Sequence, residues 1–202
     1  MKLKFALTLT MILVAFVAAA QRISAVRLNL NAQNPQWQGL LVAGNRVLFE
    51  LDASGKQLDV NIEDDYTTDG SPLTTAGPDI FFEYYDRFDG EFAGKLKSAG
   101  GFLITYYGRF DPQQKQGRVK SIGTVRFDYY DVFDTPALAG KMKSAGHLAL
   151  SYFDQFSGEE SRGKLRAVGN LTFSYYDRFT RPDLAGRIRS VKGHLNGIRI
   201  IR

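Results

Sequence analysis

An all-β fold built from tandem β-hairpins is what this sequence predicts, and three observations predict it. Two short blocks of residues recur five times, and the glycine that leads one of them recurs at a fixed step of 23 residues. Two-residue glycine turns stand between the blocks, and alternating aromatic and β-branched residues follow those turns. Together these describe an antiparallel meander, curled or barrel-like, preceded by an N-terminal β segment.

The chain of 202 residues begins with Lys2 and Lys4, an uncharged run from Phe5 to Ala20, and the small residues Ala18-Ala19-Ala20 before Gln21. A basic start, an apolar stretch and small residues at the end of it are the marks of a secretory leader, cleaved after Ala20. The run is shorter than the ~20 residues a spanning helix needs. Residues 1–20 are therefore expected to address the product to the periplasm or the extracellular space. The chain has no Cys, which removes disulfides, thiolate metal sites and a cysteine nucleophile. With 44% hydrophobic and 13% aromatic residues there is enough apolar material for packing alone to hold the fold.

Residues 21–78 stand outside the repeat. Arg27-Leu28-Asn29-Leu30 alternates, and Val47–Asp52 and Gln57–Ile62 flank Ala53-Ser54-Gly55-Lys56, so one strand and one hairpin are expected here. The stretch from Glu63 to Pro78, with Gly70-Ser71-Pro72 and Gly77-Pro78, reads as a linker. Residues 21–78 carry 4 Lys/Arg against 7 Asp/Glu, whereas residues 79–202 carry 20 against 14. An acidic cap docked on a basic array fits that asymmetry, and so does an independent interaction segment.

Residues 79–202 are the array. One block is Gly94-Lys95-Leu96-Lys97-Ser98-Ala99-Gly100, whose leading glycine recurs at 117, 140, 163 and 186. The other is Tyr84-Tyr85-Asp86-Arg87-Phe88, with counterparts at Tyr106–Phe110, Tyr129–Phe133, Tyr152–Phe156 and Tyr175–Phe179. Gly100-Gly101, Gly123-Thr124, Gly146-His147 and Gly169-Asn170 supply tight-turn chemistry. Each cationic strand is thereby paired with the aromatic strand that follows it, and a longer loop returns the chain. The last unit departs from the pattern, since Lys192 lengthens its turn and Asn196-Gly197-Ile198 replaces the aromatic run. Terminal repeats often differ in this way. If Val168 and Leu171 flank their turn, strict alternation puts Arg166 opposite Phe173 and Lys164 opposite Tyr175 on one face. Leu165, Thr172, Ser174 and the second tyrosine of each pair then point the other way.

These blocks resemble those of exported bacterial β-repeat proteins over about residues 79–195. The resemblance implies export and a hairpin fold and brings no activity with it. The period, and a tyrosine four residues before an aromatic as in Tyr84 and Phe88, are also similar to the MORN repeat, a hairpin module of scaffolding and membrane-surface binding. The closely spaced glycines of that module are missing here, so the similarity is one of architecture.

Material for chemistry is sparse. Two His, at 147 and 194, occupy one repeat slot, and turn residues are the simpler account of them. Asp65-Tyr66-Thr67-Thr68-Asp69-Gly70 has the spacing of the front half of a calcium loop, with Asp65, Thr67 and Asp69 as ligands, but Ala76 stands where the bidentate Glu belongs. No other cofactor is expected. Asp86, Asp131, Asp154 and Asp177 recur once per unit, unlike a unique catalytic pair. Asp177 is expected to form a cross-strand ion pair with Arg162 and Lys164.

Ten cations sit at fixed slots: Lys95, Lys97, Arg118, Lys120, Lys141, Lys143, Lys164, Arg166, Arg187 and Arg189. Interleaved with Phe127, Tyr129, Phe173 and Tyr175 they form a candidate polyanion surface, for an anionic polysaccharide or a membrane surface rather than nucleic acid. The competing expectation, which weighs more, is a structural ladder of Lys and Arg stems lying over aromatic rings. The reading is an exported structural or ligand-binding module without catalysis, the alternative being a hydrolase of envelope or extracellular polysaccharide. The oligomeric state is left open.

Overall fold

The computed structural model describes residues 23–31, 37–44, 46–62, 79–194 and 200–201. Residues 1–20, expected to be a leader, residues 63–78, expected to be a linker and including Asp65, Thr67 and Asp69, and residues 196–198 lie outside the described residues.

Among the described residues the chain is all β, with short 3₁₀ turns and no α-helix. The N-terminal part forms β1 (Ile23–Asn31), β2 (Trp37–Gly44), β3 (Val47–Asp52) and β4 (Leu58–Ile62). They pair antiparallel in chain order, and the C-terminal β15 (Ile200–Ile201) joins β1 in parallel. The hairpin around residues 53–57 is as expected. Strand β2 is an addition to the one strand and one hairpin read from the sequence. Its glycines and its consecutive Leu40-Leu41-Val42 obscure any alternation, yet Leu40, Val42 and Ala43 are buried.

The array is one open, ten-stranded antiparallel meander. In chain order its strands are β5 (Phe82–Tyr84), β6 (Leu96–Ala99), β7 (Phe102–Tyr106), β8 (Val119–Ile122), β9 (Val125–Tyr129), β10 (Met142–Ala145), β11 (Leu148–Tyr152), β12 (Leu165–Val168), β13 (Leu171–Tyr175) and β14 (Ile188–Lys192). All four expected tight turns are present, closed by the pairs Ala99–Phe102, Ile122–Val125, Ala145–Leu148 and Val168–Leu171. The first residue of each has positive φ, between 52° and 60°, a backbone region where glycine carries no side-chain penalty. In every Gly-Lys-x-Lys-Ser segment the chain is strand from the third residue on, while the leading glycine and first cation close the loop before it.

Strict alternation fails at one recurrent place. Where each aromatic strand meets the next cationic strand, the register skips a residue: Glu83–Ser98 is followed by Tyr84–Leu96, Thr105–Ser121 by Tyr106–Val119, and Ser151–Ala167 by Tyr152–Leu165. The same skip separates Asp128–Ser144 from Tyr129–Met142 and Ser174–Ser190 from Tyr175–Ile188. The skipped residue is always the second cation: Lys97, Lys120, Lys143, Arg166 or Arg189. It is a β-bulge, which resets the pleat by one position. Arg166 is therefore exposed rather than set against Phe173, and Leu165, expected on the opposite face, joins Val168, Leu171 and Phe173 in the core.

The array's apolar face is covered by the N-terminal sheet, so the sheet has no need to close, and β5 and β14 remain its edges. Val47, Phe49 and Leu51 share one core with Ala99, Phe102 and Ile104. The rings of Phe49 and Phe102 meet edge to face at 5.8 Å. The tip of the β3–β4 hairpin reaches further along the array. Gly55 accepts a bond from Val119 N–H at 2.8 Å, and the Arg118 guanidinium donates to the Ser54 carbonyl. A Cβ on Gly55 would fall 1.9 Å from the Tyr129 hydroxyl, and its φ is +71°. Glycine is what lets this hairpin lie flat on that ring.

Candidate binding surfaces

We take a unit as an aromatic strand, its loop and the cationic strand that follows. From the second unit on, the first tyrosine ends its strand and donates its hydroxyl back across the hairpin: Tyr106 to Leu96, Tyr129 to Val119, Tyr152 to Met142 and Tyr175 to Leu165, at 2.7–2.9 Å. The second tyrosine lies beyond the strand end, outside the pleat, so its expected opposite orientation does not hold. Instead it leans on the next unit. Tyr85, Tyr107, Tyr130 and Phe153 meet Tyr106, Tyr129, Tyr152 and Tyr175 edge to face, with ring centres 5.9–6.1 Å apart. Three of these also donate forward, Tyr85 to Ile104, Tyr107 to Phe127 and Tyr130 to Leu150. Removal from water pushes the Tyr106 and Tyr107 phenols up to about 12, and moves Tyr129 and Tyr175 in the same direction.

The first cation of each unit completes the ladder. Lys95, Lys141 and Lys164 lie over the rings of Tyr106, Tyr152 and Tyr175 at 4.5–5.2 Å. Each donates Nζ to the carbonyl of the next unit's leading glycine, Gly117, Gly163 and Gly186, at 2.6–2.7 Å. Arg118 lies over Tyr129 but turns to Gln114 and Ser54, because the hairpin tip occupies its side. Burial lowers the pKa of all four cations. Arg187, in the last unit, is exposed.

The bulged second cations face solvent more. Lys97, Lys120 and Lys143 sit over the second tyrosine of their own unit, and Lys120 and Lys143 also pair with Asp111 and Asp134 at 3.6 and 2.6 Å. Arg166 and Arg189 are exposed. The four aromatics grouped with these cations do not share their surface: Phe127, Tyr129 and Phe173 are buried, and Tyr175 lies under Lys164. They leave the candidate ligand set because a side chain in the core offers a ligand no area.

The aromatic that does face solvent is one the sequence reading passed over. Phe88, Phe110, Phe133, Phe156 and Phe179, the last residue of each Tyr-Tyr-Asp-x-Phe block, are 80–91% exposed. Their loops all leave the sheet at the edge opposite the tight turns. The recurrent aspartate explains how each ring is held. Asp86, Asp131, Asp154 and Asp177 accept the backbone N–H of Phe88, Phe133, Phe156 and Phe179 at 2.6–3.0 Å, an Asx turn that fixes the loop start. Asp177 also accepts from Thr180, and these turn bonds lower its pKa. They replace the expected ion pair with Arg162 and Lys164, whose ammonium is engaged by Gly186. Where Gly108 stands in the aspartate slot, Glu91 of the preceding loop accepts from Arg109 N–H at 2.9 Å. Arg178 binds Glu159 and Glu160 of the loop before it. Arg87 and Arg109 lie on the faces of Phe88 and Phe110 at 4.7 and 4.8 Å.

His147 is exposed in its turn, and no group of three or more His, Asp or Glu among the described residues is placed to hold a metal ion. No family model, no curated protein and no solved structure matches the chain.

Proposed function

We propose that the chain is an exported, non-catalytic binding module that holds an extended polysaccharide along the loop edge of its array. The single observation behind this reading is the row of five exposed phenylalanines in one repeat slot. Large apolar side chains grouped on a surface mark contact sites. Here four of the five rings stand on loops fixed by an Asx turn, and the Phe110 loop is braced instead by Glu91 of its neighbour, so little ordering is left for binding to cost. Successive rings are separated by two strands, roughly 10 Å. A ligand that itself repeats can engage several such loops at once, and linked weak contacts then multiply.

Charge selects among polymers. The five loops, residues 86–94, 108–117, 131–140, 154–163 and 177–186, carry 11 Asp/Glu against 6 Lys/Arg. A net of −5 at the tips disfavours the anionic polysaccharide or membrane surface expected from the cation slots, and favours an uncharged glycan. The repeated carboxylates that a hydrolase would draw on are engaged in turn bonds, which supports binding over catalysis.

The test is retardation of the full chain through gels containing an uncharged glucan or, separately, heparin, alongside a Phe133→Ser/Phe156→Ser variant. The expected result is retardation by the glucan, weakened at least tenfold in a variant whose unfolding midpoint is nearly unchanged. Equal retardation of the variant, or retardation by heparin alone, overturns the reading.

A further inference from the structure

Behind the loop edge, where the β3–β4 hairpin tip lies against the array, there is a cleft of about 440 Å³. Its charged lining is of one sign: Arg118, Lys141, Arg162 and Lys164, with no Asp or Glu. Ser54 and Tyr152 complete the lining, together with Ala53 of the hairpin tip, the loop residues Ala139, Gly140 and Gly163, and Leu165 of β12. This is the reverse of the acidic loop tips, and it arises from topology. First-slot cations of three successive units fall in line, and the hairpin tip roofs them over.

The lining cations are engaged by carbonyls and rings rather than by carboxylates. Lys141 donates to Gly163 and lies over Tyr152, and burial alone lowers its pKa. Lys164 donates to Gly186, and Arg118 to Ser54 and Gln114. An ammonium has three donors and a guanidinium five, so donor capacity is left over on each. No carboxylate lines the cleft; Asp52 and Glu160, outside it, favour the charged forms of Arg118 and Lys164 but do not offset the burial that lowers both, and an anion entering the cleft brings a counter-charge to all four cations.

We infer that this cleft is a binding site for a phosphate or sulfate monoester on a carrier about the size of a monosaccharide. Four cations match a dianion better than a single carboxylate, and guanidinium and ammonium groups are the usual partners of such oxyanions. The volume falls within the range of small-ligand sites. The inference is independent of the proposed function, since none of the exposed phenylalanines lines the cleft.

Calorimetric titration of the full chain at low salt with glucose 6-phosphate, inorganic sulfate, glucose and glucuronate tests it. Arg162→Gln is the main variant, because that side chain is exposed and outside the ladder. Lys141→Met is the second, and Arg189→Gln, away from the cleft, is the control. The expected result is binding of the phosphate ester and sulfate but not glucose, at least tenfold weaker in Arg162→Gln and Lys141→Met and unchanged in Arg189→Gln. Binding should also survive Phe133→Ser/Phe156→Ser, which separates failure of this site from failure of the loop edge. Equal weakening by Arg189→Gln, tighter binding of glucuronate than of the ester, or binding to phosphatidylglycerol vesicles with no soluble monoester bound would each overturn the inference.

Discussion

Tyr129 and Phe133 stand four residues apart in one block, yet the first is fully buried and the second is 91% exposed. The contrast holds along the array: the tyrosines of the block join unit to unit, and its phenylalanine faces solvent. What separates them is the end of the strand. Up to the first tyrosine, pairing on both sides fixes where a side chain points. Beyond it, the aspartate-capped turn takes over and carries the last ring outward. Aromatic residues of similar area therefore do opposite jobs, and hydrophobicity alone would assign both to the core.

The sharpest way to break the comparison is to truncate one ring of each kind. Phe173→Ala removes a core side chain packed with Val168 and Leu171 and should cost about 4 kcal/mol in denaturant unfolding. A cost below ~1 kcal/mol would mean that this face is open. Next in size is Gly55→Ala, which places a Cβ against the Tyr129 hydroxyl at a left-handed φ. Overlap and backbone strain together should cost roughly 2–3 kcal/mol. If this variant is as stable as the parent, the hairpin tip does not rest on the array in solution.

A smaller effect sharpens the tyrosine side. Burial holds the Tyr106 and Tyr107 phenols near 12, against 10 in the unfolded chain. Their raised values contribute stability that is fully present below about pH 10 and is lost as pH rises from there toward 12. Unfolding midpoints followed with phenolate absorbance should fall together over that window. A midpoint flat to pH 12 would detach the tyrosines from the fold. The smallest effect belongs to the loop edge: Phe156→Ser should change stability by under ~0.5 kcal/mol, because the ring is already in water.

Two kinds of information separate along the chain. The period, the glycine turns and the strand character of both blocks were legible because they are local: φ at a turn and alternation along a strand are settled by neighbouring residues. So was the hairpin over residues 47–62. The ladder of lysines over tyrosines was legible as a possibility, since charge and ring recur at fixed offsets. Its grouping with Phe127 and Phe173 was not, because those side chains are claimed by the core.

By itself, then, the sequence determined the all-β repeat, the place of each tight turn and which residue types recur. Only the tertiary structure decided which way those residues face. The bulge at Lys97, Lys120, Lys143, Arg166 and Arg189 moves the pleat by one position, and nothing within the cationic strand signals it. It is fixed by the register against the preceding aromatic strand, where the tyrosine must reach the buried side. Likewise, only the docking of the Gly55 hairpin roofs Arg118, Lys141 and Lys164 into one cleft, since it joins residues more than 60 positions apart. A contact of that range has no periodicity to announce it, and only the folded chain brings its two sides together.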